Sequence, residues 1–211
     1  MALDDTRKAQ LAGGETSTFM SQTAQVKAFI PVKGNYNGEM YTIYKDFSDP
    51  DAGAKEAAVH AAVKRIKDKG LALPNNLRVY CTKAYEAQNR AFSRSVGWSE
   101  VANIILGPTA LVGGRADALS GTNLAGCNKP TITCIHEIGH ILHERSAGDM
   151  FWETGSILTG GKAANAGEVS GYAATTKKEF VAEVFAGLIL GKPFSDACTQ
   201  EYLALGGPPV P

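Results

Sequence analysis

The order of strand and helix signals along this 211-residue chain predicts an α+β fold, a small mixed sheet joined to long helices. Short β-type runs crowd the first half of the chain. Two long helices with apolar periodicity follow one another in the second half, separated only by a glycine-rich loop. No strand stands between those two helices, which argues for segregated layers and against a doubly wound sheet.

Taken in order, residues 1–24 are rich in Thr, Ser, Gln and Gly and read as a polar, flexible N-terminal segment. Residues 25–211 suit a single domain with its own core. Lys27–Val32 and Met40–Phe47 read as strands, joined through the turn chemistry of Gly34-Asn35-Tyr36-Asn37-Gly38. Asp49 or Asp51 can cap a helix over Gly53–Lys69, where Val59, Ala62, Val63 and Ile66 recur at helical spacing and Gly70 supplies the stop. Leu77–Thr82 reads as a buried strand, Tyr85–Ser95 as a short helix and Val101–Leu106 as another strand. Gly107–Lys129 is expected to form loops with at most one short edge strand. Pro130 opens a helix to about Arg145, and a glycine-rich loop covers Ser146–Ala174. The last long helix is expected over Thr176–Leu190, ending at Gly191-Lys192-Pro193.

Composition narrows the function classes. Basic and acidic residues balance at 21 each, so no overall field favours nucleic acid or an anionic membrane. No apolar run approaches the roughly 18 residues of a membrane span, and the N-terminal stretch lacks the apolar core of a classical signal peptide. The four cysteines, Cys81, Cys127, Cys134 and Cys198, form no C-x-x-C pair, so a cysteine zinc knuckle or dithiol redox site is not expected. Disulfides and free thiols are both compatible with that set.

The most specific feature is His136-Glu137-Ile138-Gly139-His140, a His-Glu-x-x-His run on a helix. Residues four apart fall about 40° apart around a helix, so both imidazoles lie on one face, one turn apart. In that register they can bind one tetrahedral Zn²⁺, while Glu137 lies where a carboxylate can act as a base. Cys134, Ile135, Ile138, Ile141 and Leu142 occupy the other arc and give the helix a core side. The competing reading is an amphipathic helix whose polar face is merely solvated. His143 lies about 10 Å along the axis from His136 and cannot complete the same tetrahedron, so it reads as a rim residue or an outer contact. His60, mid-helix among apolar residues, reads as an ordinary structural histidine.

A catalytic zinc needs a third protein ligand. The metzincin pattern fails, because residue 146 is Ser where the third His would stand. An acid on a later element, as in gluzincins, is then expected, and Glu144, Glu153, Glu168, Glu179 and Glu183 are the candidates. The helix after Thr176 carries Phe180, Val181, Val184, Phe185, Leu188 and Ile189 and must be largely buried. Glu179 and Glu183 form a carboxylate stripe on it, and buried carboxylates need partners. This favours Glu179 as ligand and Glu183 as the acid that orients a histidine. Thr176-Lys177-Lys178-Glu179 also reads as a capping box, which would give Glu179 a backbone role instead.

His136–His140 followed by Ser170-Gly171-Tyr172-Ala173-Ala174-Thr175-Thr176-Lys177-Lys178-Glu179-Phe180-Val181-Ala182-Glu183 resembles the catalytic half of the anthrax lethal factor-like zinc metallopeptidases. That gluzincin group includes toxin proteases and proline-proline endopeptidases. The resemblance covers roughly residues 130–190, and Thr176 stands where relatives often carry Asn. It implies a zincin-like domain, one Zn²⁺ held by His136, His140 and Glu179, Glu137 as catalytic base, Tyr172 as oxyanion-stabilising phenol and Glu183 behind a ligand. It also implies a zinc endopeptidase acting on an extended peptide or protein. A secreted toxin or delivered effector role fits the resemblance, the compact length and the missing signal peptide, and the chain is expected to act as a monomer.

A substrate of that kind is held beside an edge strand, expected from Val101–Leu106 or from Gly107–Gly126, where Gly113, Gly114 and Gly121 would permit close approach. The alternative function is a catalytically silent zinc-binding module that captures a peptide or partner protein. Gly206-Gly207-Pro208-Pro209-Val210-Pro211 reads as a solvated, polyproline-like tail.

Overall fold

The computed structural model of the chain describes residues 29–83, 92–95, 102–107, 127–152 and 161–211. The N-terminal segment 1–24, the start of the expected helix at Tyr85, the glycines at 113, 114 and 121 and the candidate acid Glu153 lie outside the described residues.

Five described strands form one mixed sheet in the order β1-β2-β3-β5-β4. Strands β1 (Phe29–Tyr36) and β2 (Glu39–Asp46) make an antiparallel hairpin. Its turn is shorter than the glycine-rich run suggests. Only Asn37 and Gly38 form it, both at positive φ (51° and 85°), as a two-residue turn of the favoured hand requires. Gly34 belongs instead to β1, opposite Tyr41. A Cβ at residue 34 would lie 2.1 Å from the Tyr41 ring, so glycine there lets that ring fold across the strand. Tyr41 then shares a 2.6 Å hydrogen bond between its hydroxyl and His60 Nδ1, which gives His60 the structural role its sequence context suggested.

Strand β3 (Arg78–Cys81) pairs parallel with both β2 and β5 (Ala102–Leu106). Strand β4 (Phe92–Ser95) then closes this side antiparallel to β5, with Phe92 opposite Ile105. Two expectations change here. Residues 92–95 are strand and not the end of a helix; so short a run cannot distinguish a period of 3.6 from a period of 2. The run Val101–Leu106 is not the edge either, because β4 flanks it.

Helix α1 (Ala52–Asp68) buries Val59, Ala62, Val63 and Ile66 completely. Neither aspartate caps it through a side chain. Asp49 takes the Asp51 N–H and the buried ammonium of Lys55, 2.6 Å away, so its carboxylate is committed to an ion pair. Helix α2 (Lys129–Ala147) starts at Asn128, whose side chain accepts the Thr131 N–H, with Pro130 in the first turn. Beyond it come two one-turn helices, α3 (Asp149–Trp152) and α4 (Ala166–Val169), inside the stretch read as loop.

Helix α5 (Lys177–Ile189) is capped by Thr176 and lies against α2. It is not the last helix: α6 (Asp196–Ala204) follows, capped by Ser195. Glu179 therefore sits on the penultimate helix and not on a C-terminal one. Nor is the proline-rich stretch solvated throughout. Gly207 and Pro208 are buried, the Tyr202 hydroxyl donates to the Pro208 carbonyl, and a Cβ on Gly207 would collide with the Tyr202 ring. The four cysteines are free thiols, three of them buried.

Helix α2 thus has α1 on one side, α5 on another and the sheet beneath. Most of its polar arc packs against protein, with His140 half-buried. His136 and Glu137 are 5% and 2% exposed, which removes the reading of a solvated polar face.

Candidate metal centre

His136 and His140 stand one turn apart on α2 with ring centroids 4.7 Å apart and planes almost perpendicular, at 87°. Their Nε2 atoms converge on a single carboxylate oxygen. Glu179 Oε2 lies 3.0 Å from His136 Nε2 and 3.1 Å from His140 Nε2. One ligand atom from each of the three residues lies within 4.8 Å of the others, and the cluster can hold a metal ion. Ligands at roughly 2.0–2.1 Å around a tetrahedral zinc stand about 3.3 Å from each other, close to these separations. Two imidazole nitrogens and a carboxylate oxygen also suit a borderline-soft divalent ion such as Zn²⁺.

Local sequence explains how the third residue arrives. Gly139 meets Phe185 of α5 at the helix crossing, where a Cβ would lie 2.7 Å from Phe185 Cδ1. The missing side chain lets α2 and α5 approach closely. Glu179 occupies the first turn of α5, and its backbone N–H donates to Thr176 Oγ1. Half of the capping box is therefore formed, but the Glu179 carboxylate turns to the imidazoles, so capping and ligand roles need not compete.

Glu183 lies one turn further along α5, 3% exposed, with Oε1 2.8 Å from His136 Nδ1. That contact is short but off the axis of a good hydrogen bond, so charge attraction counts for more in it than N–H alignment. Burial disfavours a charged His136, yet the Glu179 hydrogen bond and the charges of Glu179 and Glu183 outweigh burial and raise its pKa well above the usual histidine value. For Glu179, burial raises the pKa, but the two imidazoles hold it far below the ordinary carboxylate range. An ion at the Nε2 atoms would replace the protons that now join imidazole to carboxylate, while Glu183 stays on the Nδ1 side of His136. An orphaned buried Nδ1 beside an acid fits a metal-ligating histidine held from behind.

Tyr172, on the turn between α4 and α5, is half-buried, with its ring centroid 5.8 Å from that of His136. Glu137 is buried beside the cluster on α2, next in sequence to His136. Of the other candidate acids, Glu144 is buried on α2 outside the cluster. Glu168 is exposed and accepts the N–H and hydroxyl of Ser195 at the start of α6.

His143 is not a rim residue. It is fully buried, its Nε2 donates to the Leu205 carbonyl at 2.8 Å, and its ring meets Phe151 edge-on at 5.1 Å. Ser170 is the residue that sequence reasoning passed over. Its hydroxyl reaches Glu183 Oε2 at 2.9 Å. The only signal for it was its place two residues before Tyr172, which one serine in a glycine-rich stretch does not make conspicuous. Comparison of the chain with protein-family models, curated proteins and solved structures finds no match, so the chemistry of this centre is argued from its own geometry.

Proposed function

We propose that the protein is a zinc-dependent endopeptidase of the gluzincin kind, with a zincin-like domain similar to those of the lethal factor-like peptidases. One observation carries the reading: two histidine Nε2 atoms and one glutamate oxygen converge from two helices, at separations that suit a single tetrahedral ion. His136, His140 and Glu179 would hold the ion. When bound, zinc supplies a Lewis acid that acidifies water and polarises a peptide carbonyl.

The chain's own residues do the rest. Glu137, buried beside His136 on the same helix, takes the proton from the attacking water and returns it to the departing amine nitrogen. Tyr172 donates its hydroxyl to the carbonyl oxygen as negative charge develops there. Glu183 keeps the His136 ring oriented. The substrate is an extended peptide or protein segment, and the protein acts as a monomer. Among the described residues no helix is long and apolar enough to cross a membrane. Action as a secreted or delivered effector follows from the resemblance alone.

Glu137→Ala tests the reading against a silent zinc-binding module. Zinc content should stay at one per chain while cleavage of a proteome-derived peptide library falls by about 10²–10⁴-fold, the range for a lost general base. Wild-type cleavage by the variant would sink the assignment of Glu137. Stoichiometric zinc with no cleavage by the wild-type protein would instead favour the silent module.

A further inference from the structure

One hydroxyl joins the acid behind His136 to the turn that carries Tyr172. Ser170 directly follows α4 in extended backbone (φ −172°, ψ 161°) and is 8% exposed. Its Oγ lies 2.9 Å from Glu183 Oε2 and 2.9 Å from the backbone nitrogen of Ala173. The direction of both bonds is forced. The Ala173 N–H can only donate, so Oγ accepts there, and its single proton goes to the carboxylate.

The other oxygen of that carboxylate is the one 2.8 Å from His136 Nδ1. Ala173 is the next residue after Tyr172, whose ring stands beside that of His136. Two routes from Ser170 therefore end at the same imidazole, one through Glu183 and one through the Tyr172 turn.

We infer that Ser170 is a positioning residue: its hydroxyl fixes Glu183 against His136 and, through the Ala173 N–H, fixes the turn that presents Tyr172 to the site. The inference rests on the metal-centre reading above. Without the hydroxyl, a buried carboxylate oxygen and a buried N–H both lose their partner. Glu183 is then free to rotate away from His136, and the histidine loses its fixed orientation before the metal arrives.

Zinc affinity measured by competition with a chromogenic chelator, together with the visible absorption spectrum of the cobalt-substituted protein, tests this without a substrate. Ser170→Ala should weaken zinc binding about 10-fold, the lower end for loss of an outer partner, and should alter the cobalt spectrum. Ser170→Thr keeps the hydroxyl in a backbone conformation that β-branched residues favour, and should restore both. A Ser170→Ala protein with a lower Tm, zinc affinity within twofold of wild type and an unchanged spectrum would make Ser170 a loop staple only and overturn the inference. Should that variant fail to fold, Ser170→Cys, of similar size but a weak donor, carries the same readouts and the same criterion. Wild-type protein that takes up neither zinc nor cobalt overturns the metal centre itself, and the inference with it.

Discussion

His136 and His143 lie two turns apart on α2, both buried, and their surroundings tune them in opposite directions. His136 faces Glu179 on one nitrogen and Glu183 on the other, and its charged form is favoured despite burial. His143 meets an aromatic ring and a backbone carbonyl. Burial pushes its pKa down to about 4, the positive charges of His140 and Lys178 push the same way, and the Leu205 carbonyl opposes them only in part. Burial prevails at His143, where no acid opposes it, and is overcome at His136, where two carboxylates face the ring. One helix thus carries a centre suited to a cation at one end and a neutral tie to the segment after α6 at the other.

Substituting the two histidines separately gives the largest effect. His136→Ala should lower zinc content to a small fraction of one per chain. His143→Gln, which can still donate to the Leu205 carbonyl, should keep one zinc per chain by elemental analysis. Comparable zinc loss in both variants would erase the distinction.

The second effect sits at the neutral end and appears as pH dependence. The folded pKa of His143, about 4, lies below the unfolded value of roughly 6.5. Between those values the unfolded chain binds the proton and the folded one does not. His143 therefore contributes stability that is present above about pH 6.5 and is lost as pH falls toward 4, by about 3 kcal/mol in all. Chemical denaturation of the zinc-free protein across that window should show a steeper loss for wild type than for His143→Gln. Parallel slopes would mean that His143 titrates normally.

The smallest effect sharpens the charged end. Glu183→Gln keeps the shape but removes the charge behind His136. Zinc affinity should fall about tenfold, roughly 1.4 kcal/mol, and zinc-free stability at neutral pH should fall as well, because the buried, charged His136 loses one of its two acidic partners. Chelator competition measures the first and thermal unfolding the second.

The contrast between these histidines also marks what could be read from sequence. The pair His136 and His140 was legible because their relation is local, one turn of one helix. Glu179 and Glu183 were legible because acids on an otherwise apolar helix need partners. His143 was misjudged, since a helical projection places it with the polar arc while its partner, Leu205, lies 62 residues further on. The packing of Gly207 and Pro208 on Tyr202 was hidden for the same reason: a Pro-rich composition shows extension but not what the extended chain lies against. Strand β4 was missed because four residues carry too little periodicity. Helix α6 was missed although Ser195 and Asp196 were available as its starting signal.

The contact between Gly139 and Phe185 reaches beyond geometry, into which sequences this centre tolerates. With only a hydrogen on residue 139, the gap between α2 and α5 is filled by one aromatic ring, so the volumes at 139 and 185 are a shared quantity. A larger residue at one position is compatible with the centre only when the other becomes smaller. Even then the smaller partner must hold Glu179 at the same distance from both imidazoles. The middle of the His-Glu-x-x-His run, chemically silent in itself, would therefore vary in step with a residue 46 positions away, and divergent homologues should show the two changing together or not at all.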